Sequence, residues 1–161
     1  MSPTPVYQRI ALGDITINNI GQLRKLNSVL FPIEYKASFY EEVLHVGEFA
    51  KLVYYNDVCV GSVCCRKEVA QDDQTNLYIM TLGVLKPYRR LGLGDQLLEH
   101  ILKEASDKEN KINKVYLHVQ TNNDAAVAFY KKHGFEITRT DKDYYKEVEP
   151  RDAYVLEKLI V

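Results

Sequence analysis

The segment at residues 89–94, RRLGLG, places two arginines beside two glycines at a spacing that can hold a pyrophosphate. Glycine lets the backbone turn tightly and approach a ligand closely. The first amides of a following helix have no partner within that helix, and the helix dipole favours an anion at the same place. The arginines add positive charge. The segment is therefore predicted to bind a cofactor that contains phosphate.

Two other phosphate-binding motifs are excluded by what this segment lacks. A Rossmann fingerprint needs a third glycine and an acidic residue at the end of the next strand. A P-loop needs Gly-Lys followed by Ser or Thr. Neither pattern is present in this part of the sequence.

The glycine segment needs a strand before it and a helix after it. Residues 77–84, LYIMTLGV, alternate in the manner of a β-strand. The helix is indicated by apolar residues at helical spacing, Leu97, Leu98, Ile101, Leu102 and Ala105. A strand at residues 114–120 comes next and places Tyr116 and His118 on one face. Residues 121–124 then cap a fourth helix, which ends at Gly134.

Two further helices are expected near the N-terminus. Thr16 offers an N-cap for the first, which takes Ile17 into its apolar stripe and runs to about Leu30 before Pro32 stops it. Ser38 begins a capping box that predicts the second.

Strands are also expected at residues 9–12, 51–55, 58–66, 135–140 and 153–160. Asn56 and Asp57 predict a hairpin between two of them, because both residue types tolerate positive φ. The order is strand, two helices, three strands, helix, strand, helix and two strands. This order predicts an α/β or α+β layered domain around a mixed sheet.

Composition is typical of a water-soluble globular protein with one domain. The 161 residues suit a single core at residues 9–161, preceded by a disordered tail at residues 1–8. A net charge of −1 gives no general attraction to nucleic acid or anionic lipid, and no apolar run approaches the roughly 20 residues of a membrane span. The tail lacks the features of a secretory signal. The three cysteines are expected to be reduced thiols, and their spacing predicts no metal site.

Two motifs together resemble the GCN5-related N-acetyltransferase (GNAT) superfamily. RRLGLG matches its pyrophosphate loop, and residues 123–135 match its second signature, N-x-x-A-x-x-F-Y-x-x-x-G-F. The segments LYIMTLG, YLHVQ and AFYKKHGFE further resemble the catalytic subunits of NatE-type N-terminal acetyltransferases. The resemblance covers nearly the whole chain after residue 8. It implies a parallel central strand pair, about four flanking helices, and acetyl transfer from acetyl-CoA to protein N-termini that begin with Met and a hydrophobic residue.

The resemblance also implies roles for individual residues. Tyr78 and His118 would take a proton from the amine through ordered water. The strand pattern supports this, because both would point to the same face of two strands that the resemblance makes neighbours, roughly 4.8 Å apart. Imidazole suits a proton shuttle. A lone histidine on a strand is otherwise most often structural. Tyr130 would protonate the leaving thiol, or it packs its helix against the sheet.

The remaining site residues follow from the resemblance alone. The cofactor would be held by Leu82, Gly83, Val84, Arg89, Arg90, Leu91, Gly92, Leu93, Gly94, Asp95, Asn123, Phe129, Tyr130 and Lys132. The substrate N-terminus would be held by Phe31, Pro32, Ile33, Tyr35, Met80, Tyr144, Tyr145 and Val148. Packing of the Tyr144-Tyr145 pair at a strand edge is the alternative for those two. Glu147 departs from the basic residue of the resembling proteins.

Two alternatives to N-terminal acetylation stay open at this point. The same fold can acetylate lysine side chains or small amines, because a fold does not fix the substrate. The chain could also be a non-catalytic partner of another acetyltransferase. The resemblance implies nascent polypeptides and the NatA acetyltransferase complex at the ribosome as partners, without nucleic acid or membrane. The expected compartment is the cytoplasm, with the nucleus as a second one.

Overall fold

The computed structural model describes residues 9–160, so the tail expected at residues 1–8 lies outside the described residues. Within this range the chain forms seven strands and four α-helices. The strands are β1 (Ile10–Asp14), β2 (Ala50–Tyr55), β3 (Val58–Val69), β4 (Thr75–Val84), β5 (Ile112–Gln120), β6 (Glu136–Asp141) and β7 (Ala153–Leu159). The helices are α1 (Ile20–Leu30), α2 (Ala37–Val43), α3 (Leu93–Ala105) and α4 (Asp124–Lys132).

The strands form a mixed sheet in the order β1-β2-β3-β4-β5-β7-β6. Strands β4 and β5 pair in parallel, with Tyr78 opposite Tyr116. The pairs β1–β2, β2–β3, β5–β7 and β6–β7 are antiparallel. The predicted fold class and its parallel central pair are therefore confirmed. The last strand, β7, lies between β5 and β6, which the order of elements along the chain does not indicate.

Contacts within the chain define two compact units. Among the described residues, the first comprises residues 9–66 together with Met80–Glu104, and the second comprises Lys67–Ile79 and residues 105–160. The first unit has a core of buried side chains from α1, α2, β2 and β3, including Leu23, Leu26, Phe39 and Leu52. Burial of such side chains stabilises a fold by about 1.5–3 kcal/mol each.

Three details of the first unit differ from the sequence prediction. Strand β1 continues through Gly13 instead of ending before it. Helix α1 begins at Ile20, because the side chain of Asn19 accepts the Thr16 N–H at 2.7 Å and closes a separate turn before the helix. Thr16 is therefore not the N-cap, and Ile17 is 79% exposed instead of lying in the apolar stripe.

Helix α2 is present, but the predicted capping box is wrong. The helix begins at Ala37 with Lys36 as the N-cap residue and no side-chain capping bond. Ser38 consequently lies inside the helix. The burial of Phe39, Tyr40 and Val43 explains the helix without a cap, because tertiary packing provides most helix stability in proteins.

The second unit contains β5, α4, β6, β7 and the first part of β4. Val115, Leu117 and Val119 point to the buried face of β5, and Tyr116 and His118 point to the opposite face, as predicted. Helix α4 ends at Lys132 with His133 as its C-cap, and the next residue, Gly134, is left-handed with φ +92°. The predicted end of this helix is confirmed.

The described helices include none that is long and apolar enough to cross a membrane. All three cysteines are free thiols, as predicted. Cys64 and Cys65 are buried, and burial raises the pKa of the Cys64 thiol to about 12.

Candidate active site

Tyr78 and His118 lie in hydrogen-bond contact on the polar face of the parallel strand pair. The Tyr78 hydroxyl oxygen is 2.9 Å from Nδ1 of His118. On β4, Tyr78 pairs with Tyr116 of β5. His118 lies two residues after Tyr116, on the same face of β5. The Tyr78 ring also packs against the Tyr116 ring, with centroids 4.9 Å apart. The sheet therefore fixes both partners of the predicted proton-transfer pair.

The other nitrogen of His118 contacts a carboxylate. Nε2 lies 2.8 Å from Oδ2 of Asp141, the last residue of β6. Arg139 donates to the other oxygen, Oδ1, at 2.9 Å. Hydrogen bonds from Arg139 and then from His118 lower the pKa of Asp141 below its usual value, so this carboxyl is ionised at neutral pH.

These contacts fix the direction of the hydrogen bonds through neutral His118. An ionised carboxylate only accepts, so Nε2 of His118 carries the proton and donates to Asp141. Nδ1 then has a free lone pair, and the Tyr78 hydroxyl donates to it. Tyr144 lies with its hydroxyl 3.1 Å from that of Tyr78 and must be the donor in that contact. The result is a directed chain from Tyr144 to Asp141.

Tyr144 also stacks on His118. Their ring centroids are 3.9 Å apart and the rings are nearly parallel, at 7°. Tyr144 belongs to the segment between β6 and β7, and its own ring contacts Tyr145 edge to face. Residues from three separate parts of the chain thus meet around one imidazole.

The Tyr78 phenol stays protonated at any ordinary pH. Burial raises its pKa well above the usual value of about 10. A phenolate is therefore not available as a base. Tyr78 can pass a proton only by accepting one on its oxygen while giving its own to His118.

The predicted phosphate segment forms a short turn before α3. Its backbone is left-handed at Arg90 (φ +67°) and Gly92 (φ +80°), and α3 begins at Leu93. Arg89 donates from Nε to the carbonyl of Val84 at 2.9 Å, so this arginine also fixes the turn to the end of β4. A Cβ at Gly92 would meet nothing within 4 Å. Glycine is needed there for its backbone conformation, and the space beside it is open.

The first predicted substrate loop follows α1. The Phe31 ring packs edge to face with Tyr35, and Tyr35 packs against Phe39, which is buried. A Cβ on Gly83 would lie 3.0 Å from Leu30 and from Phe31, so the loop is seated on the end of β4. Ile33 is 41% exposed. The loop is apolar and partly accessible, and its role in substrate binding remains a prediction.

Strand β3 approaches the same end of β4 closely. A Cβ on Gly61 would lie 2.6 Å from the carbonyl oxygen of Gly83. The amide of Leu85 also donates to the carbonyl of Val60 at 2.8 Å. Gly61 was not predicted as part of the site. The available signal was a glycine within a strand-like run, which often marks a close approach of another backbone.

The predicted residues of α4 serve local packing and capping. Asn123 accepts the Ala126 N–H on its side chain at 3.1 Å and caps the helix. Tyr130 is buried, with its ring edge to face against Phe129 and Phe135. Lys132 is exposed in the last turn. The cofactor roles of Asn123, Phe129 and Lys132 and the catalytic role of Tyr130 remain predictions.

The structure thus brings together Tyr78, His118 and Tyr144 in the second unit and Phe31, Tyr35 and Gly83 in the first. Asp141 and Arg139 were not predicted as site residues, because the strand expected at residues 135–140 ends before Asp141 and gave Arg139 no function. The available signal was an acid two residues after an arginine at a strand end. Without the β5-β7-β6 order, that signal does not point to His118.

Comparison with known proteins places these features in one family. The model of the acetyltransferase (GNAT) family matches residues 20–135. N-alpha-acetyltransferase 50 of Danio rerio is 55% identical over 150 residues, which cover 93% of this chain and 88% of that protein. The probable N-acetyltransferase san of Drosophila melanogaster is 54% identical over 151 residues, covering 94% and 81%.

Solved structures give the same result. Naa50 of Arabidopsis thaliana, in complex with the bisubstrate analogue CoA-Ac-MVNAL, is 50% identical and superposes with a TM-score of 0.86, covering 92% of this chain and 97% of that one. NAA60 of Arabidopsis thaliana, in complex with acetyl-CoA, is 23% identical with a TM-score of 0.82 and covers 94% and 100%. At that lower identity the likeness concerns the fold.

Proposed function

The chain belongs to the GNAT family and is an acetyl-CoA-dependent N-alpha-acetyltransferase, and we propose that it acetylates protein N-termini that begin with Met followed by a hydrophobic residue. The analogue bound to the Arabidopsis relative joins coenzyme A to a peptide that begins Met-Val. The observation that carries the proposal for this chain is the directed hydrogen-bond chain around His118.

An N-terminal amine must lose a proton before it can act as a nucleophile. Its usual pKa is about 7.7–8.0, so a modest base suffices near neutral pH. In our proposal the amine, through one ordered water, gives this proton to the oxygen of Tyr78. Tyr78 gives its own proton to Nδ1 of His118 in the same movement. The phenol remains neutral throughout, which agrees with its raised pKa.

A carboxylate lies beside the imidazole that receives the proton. When Nδ1 takes a proton the ring becomes an imidazolium, and the Asp141 carboxylate 2.8 Å from Nε2 stabilises that charge. The stacked Tyr144 ring limits movement of the imidazole. His118 thus holds the proton while the amine attacks.

The residues around the turn at 89–94 fit a nucleotide cofactor. The open space beside Gly92, two exposed arginines and the first amides of α3 provide room, charge and donors for a pyrophosphate. When bound, acetyl-CoA would supply a thioester whose carbonyl carbon forms the new C–N bond as the C–S bond breaks, with the sulfur taking up a proton and leaving as coenzyme A. We propose that Arg89, Arg90 and the amides of Gly92 and Gly94 hold it. Leu82, Gly83 and Val84 would align it with main-chain groups.

Specificity for the first two substrate residues is assigned to the apolar side chains on two loops. One apolar surface follows α1 and consists of Phe31, Pro32 and Ile33. The Tyr35 ring packs edge to face with the Phe31 ring. Tyr145 and Val148, both half-buried, offer another surface between β6 and β7. Apolar surfaces with few polar groups favour Met and a hydrophobic second residue over charged ones. Met80 follows Tyr78 on the same face of β4.

A peptide panel read by mass spectrometry tests the proposed substrate class. Peptides that begin Met-Leu, Met-Val, Met-Lys and Ser-Glu, each with one internal lysine, are incubated with the protein and acetyl-CoA. We expect acetylation of the N-terminal amine of Met-Leu and Met-Val at least 10-fold faster than the others, the range that pocket contacts of about 1–3 kcal/mol provide. Tandem spectra locate the acetyl group.

Other results would replace the proposal. Transfer to the internal lysine with a blocked N-terminus would assign a lysine acetyltransferase. Absence of transfer to every peptide, with acetyl-CoA bound, would assign a non-catalytic partner.

We also propose that the chain acts in the cytoplasm on nascent chains and associates there with a NatA-type acetyltransferase complex. The support is the likeness to N-terminal acetyltransferases at 50% identity or more. Affinity purification of the tagged full-length protein from its own cells, followed by sedimentation with ribosomes, tests both parts. Recovery of the protein alone and away from ribosomes would contradict the association.

A further inference from the structure

We propose that Asp141 is a positioning residue, which holds His118 in the tautomer that leaves Nδ1 free to accept the proton of Tyr78. This inference rests on the proposed roles of Tyr78 and His118. It adds a residue that the motifs of the sequence do not include.

The geometry permits only one tautomer of neutral His118. Nε2 lies 2.8 Å from Oδ2 of Asp141, and the His118 side chain is only 11% exposed. In water the two neutral tautomers of imidazole exchange freely, so an isolated histidine would present Nδ1–H to Tyr78 part of the time. In that tautomer Nδ1 could not accept the Tyr78 proton. A carboxylate at Nε2 excludes it.

Asp141 is itself held in place. Arg139, two residues earlier on β6, donates Nε to Oδ1 at 2.9 Å, and its NH2 group lies 3.5 Å from Oδ2. Asp141 is opposite Ala153 on β7, and Arg139 is opposite Val155, which is also opposite His118. Both β7 residues are buried and apolar. At these two positions β7 thus provides no polar side chain that competes with the contact.

Among the described residues, the polar and charged side chains that face His118 come from β4, β6 and the segment after β6. Tyr78 faces it from β4, Asp141 with Arg139 from β6, and Tyr144 from the following segment. On the neighbouring strands Tyr116 donates to Glu68, and Glu157 accepts from Lys114 at 3.0 Å. The carboxylate in direct contact with His118 is therefore that of Asp141.

The variants Asp141→Asn and Asp141→Ala in the full-length protein test the proposal, with Glu136→Gln as a control that removes one charge from the same strand. Two readouts are measured: kcat and KM for a Met-Leu peptide, and the His118 tautomer by ¹⁵N NMR. For both Asp141 variants we expect kcat to fall about 10-fold or more and KM to change less than twofold. The Nδ1–H tautomer should appear. Glu136→Gln should behave as wild type.

The two readouts separate this proposal from the one beneath it. An unchanged His118 tautomer in both Asp141 variants would overturn the positioning role, whatever the activity. Full turnover by His118→Ala would overturn the base assignment on which the role depends. A KM that rises with kcat unchanged would assign Asp141 to peptide binding and also overturn the proposal.

Discussion

The Tyr78 hydroxyl oxygen and the His118 Nδ1 lie 2.9 Å apart although 40 residues separate them in the chain. Their contact is made by parallel pairing of β4 and β5, in which Tyr78 is opposite Tyr116. Because Tyr78 donates and His118 accepts, either one alone is insufficient to move a proton from the amine. The two side chains are expected to work as a unit.

Tyr78→Phe should lower kcat by about 100-fold while the affinity for acetyl-CoA stays within twofold of wild type. Positioned acid–base groups contribute about 10²–10⁴ to a rate. Phenylalanine keeps the ring that packs on Tyr116, so the loss reports the hydroxyl. Steady-state kinetics and calorimetry measure the two quantities. Tyr55→Phe, on β2 against Tyr88, is the matched control. Unchanged kcat in either Tyr78→Phe or His118→Ala would contradict the relay.

The kcat profile should be flat from about pH 8.5 to 10 once the amine is deprotonated. If a Tyr78 phenolate were the base, kcat would rise as the pH passed the phenol pKa. Burial raises that pKa well above its usual value of about 10, so the phenol stays protonated through this range. Stopped assays with a Met-Leu peptide measure the profile. A tenfold rise per pH unit in this interval would show that Tyr78 ionises during turnover.

Gly92→Trp should abolish binding of coenzyme A, and Gly92→Ala should weaken it only severalfold. Both variants place a side chain on a backbone at φ +80°, which strains an L-residue by roughly 1–2 kcal/mol. Only tryptophan fills the open space that the structure shows beside this residue. Calorimetry measures Kd, and thermal unfolding checks that each variant folds. Equal Kd values for the two variants would place the cofactor elsewhere.

The elements around the predicted chemistry could be identified from the sequence because local pattern and tertiary structure agree there. Alternation along residues 77–84 and the apolar stripe from Leu97 predict β4 and α3 nearly to their ends. The start of α1 could not be predicted. Asn19 and Thr16 are both good capping residues, and propensity does not decide between them. In the structure the Asn19 side chain accepts the Thr16 N–H, and Ile17 lies outside the helix.

The site was predicted where it depends on neighbouring strands and missed where it depends on sheet order. Tyr78 and His118 follow from alternation on two strands that the family places side by side. Asp141 reaches His118 because β7, the last strand in the chain, lies between β5 and β6. Strands that follow each other in the chain usually pair or lie next to each other, so the sequence alone does not predict that the end of β6 lies close to β5.

The Asp14–Lys51 pair makes stability depend on acid pH. Lys51 contacts Asp14 and also lies 2.6 Å from Glu48, and its hydrogen bond lowers the pKa of Asp14. A carboxyl with a lowered folded-state pKa stabilises the fold above its unfolded pKa of about 3.9 and ceases to do so as pH falls through the folded value. Asp14→Asn should therefore lower the urea midpoint at pH 7 and have little effect at pH 2.

The expected loss at pH 7 is about 1 kcal/mol or less, because the Asp14 side chain is 72% exposed and water screens the pair. Urea titrations at both pH values measure it. Asp57→Asn, whose exposed carboxylate lies 3.4 Å from Arg9, is a control for charge removal at the surface. A loss that is equal at pH 7 and pH 2 would show that Asp14 acts through its shape and not through its charge.

Gly61→Ala should destabilise the protein by about 1–3 kcal/mol, the usual effect of forcing an extra methyl group into a packed site. The new Cβ would lie 2.6 Å from the carbonyl oxygen of Gly83 and 3.0 Å from a methyl of Val53. One of the two contacts is backbone, so β3 and β4 must separate. Because Gly83 belongs to the strand end assigned to the cofactor, Kd for coenzyme A should rise as well.

Gly21→Ala, in α1 with nothing within 4 Å of its Cβ, is the matched control and should leave both Tm and Kd unchanged or slightly improve Tm. Differential scanning calorimetry and titration calorimetry on the same samples measure the two effects, and a Gly61→Ala protein as stable as wild type would show that the close approach of β3 to β4 is not required.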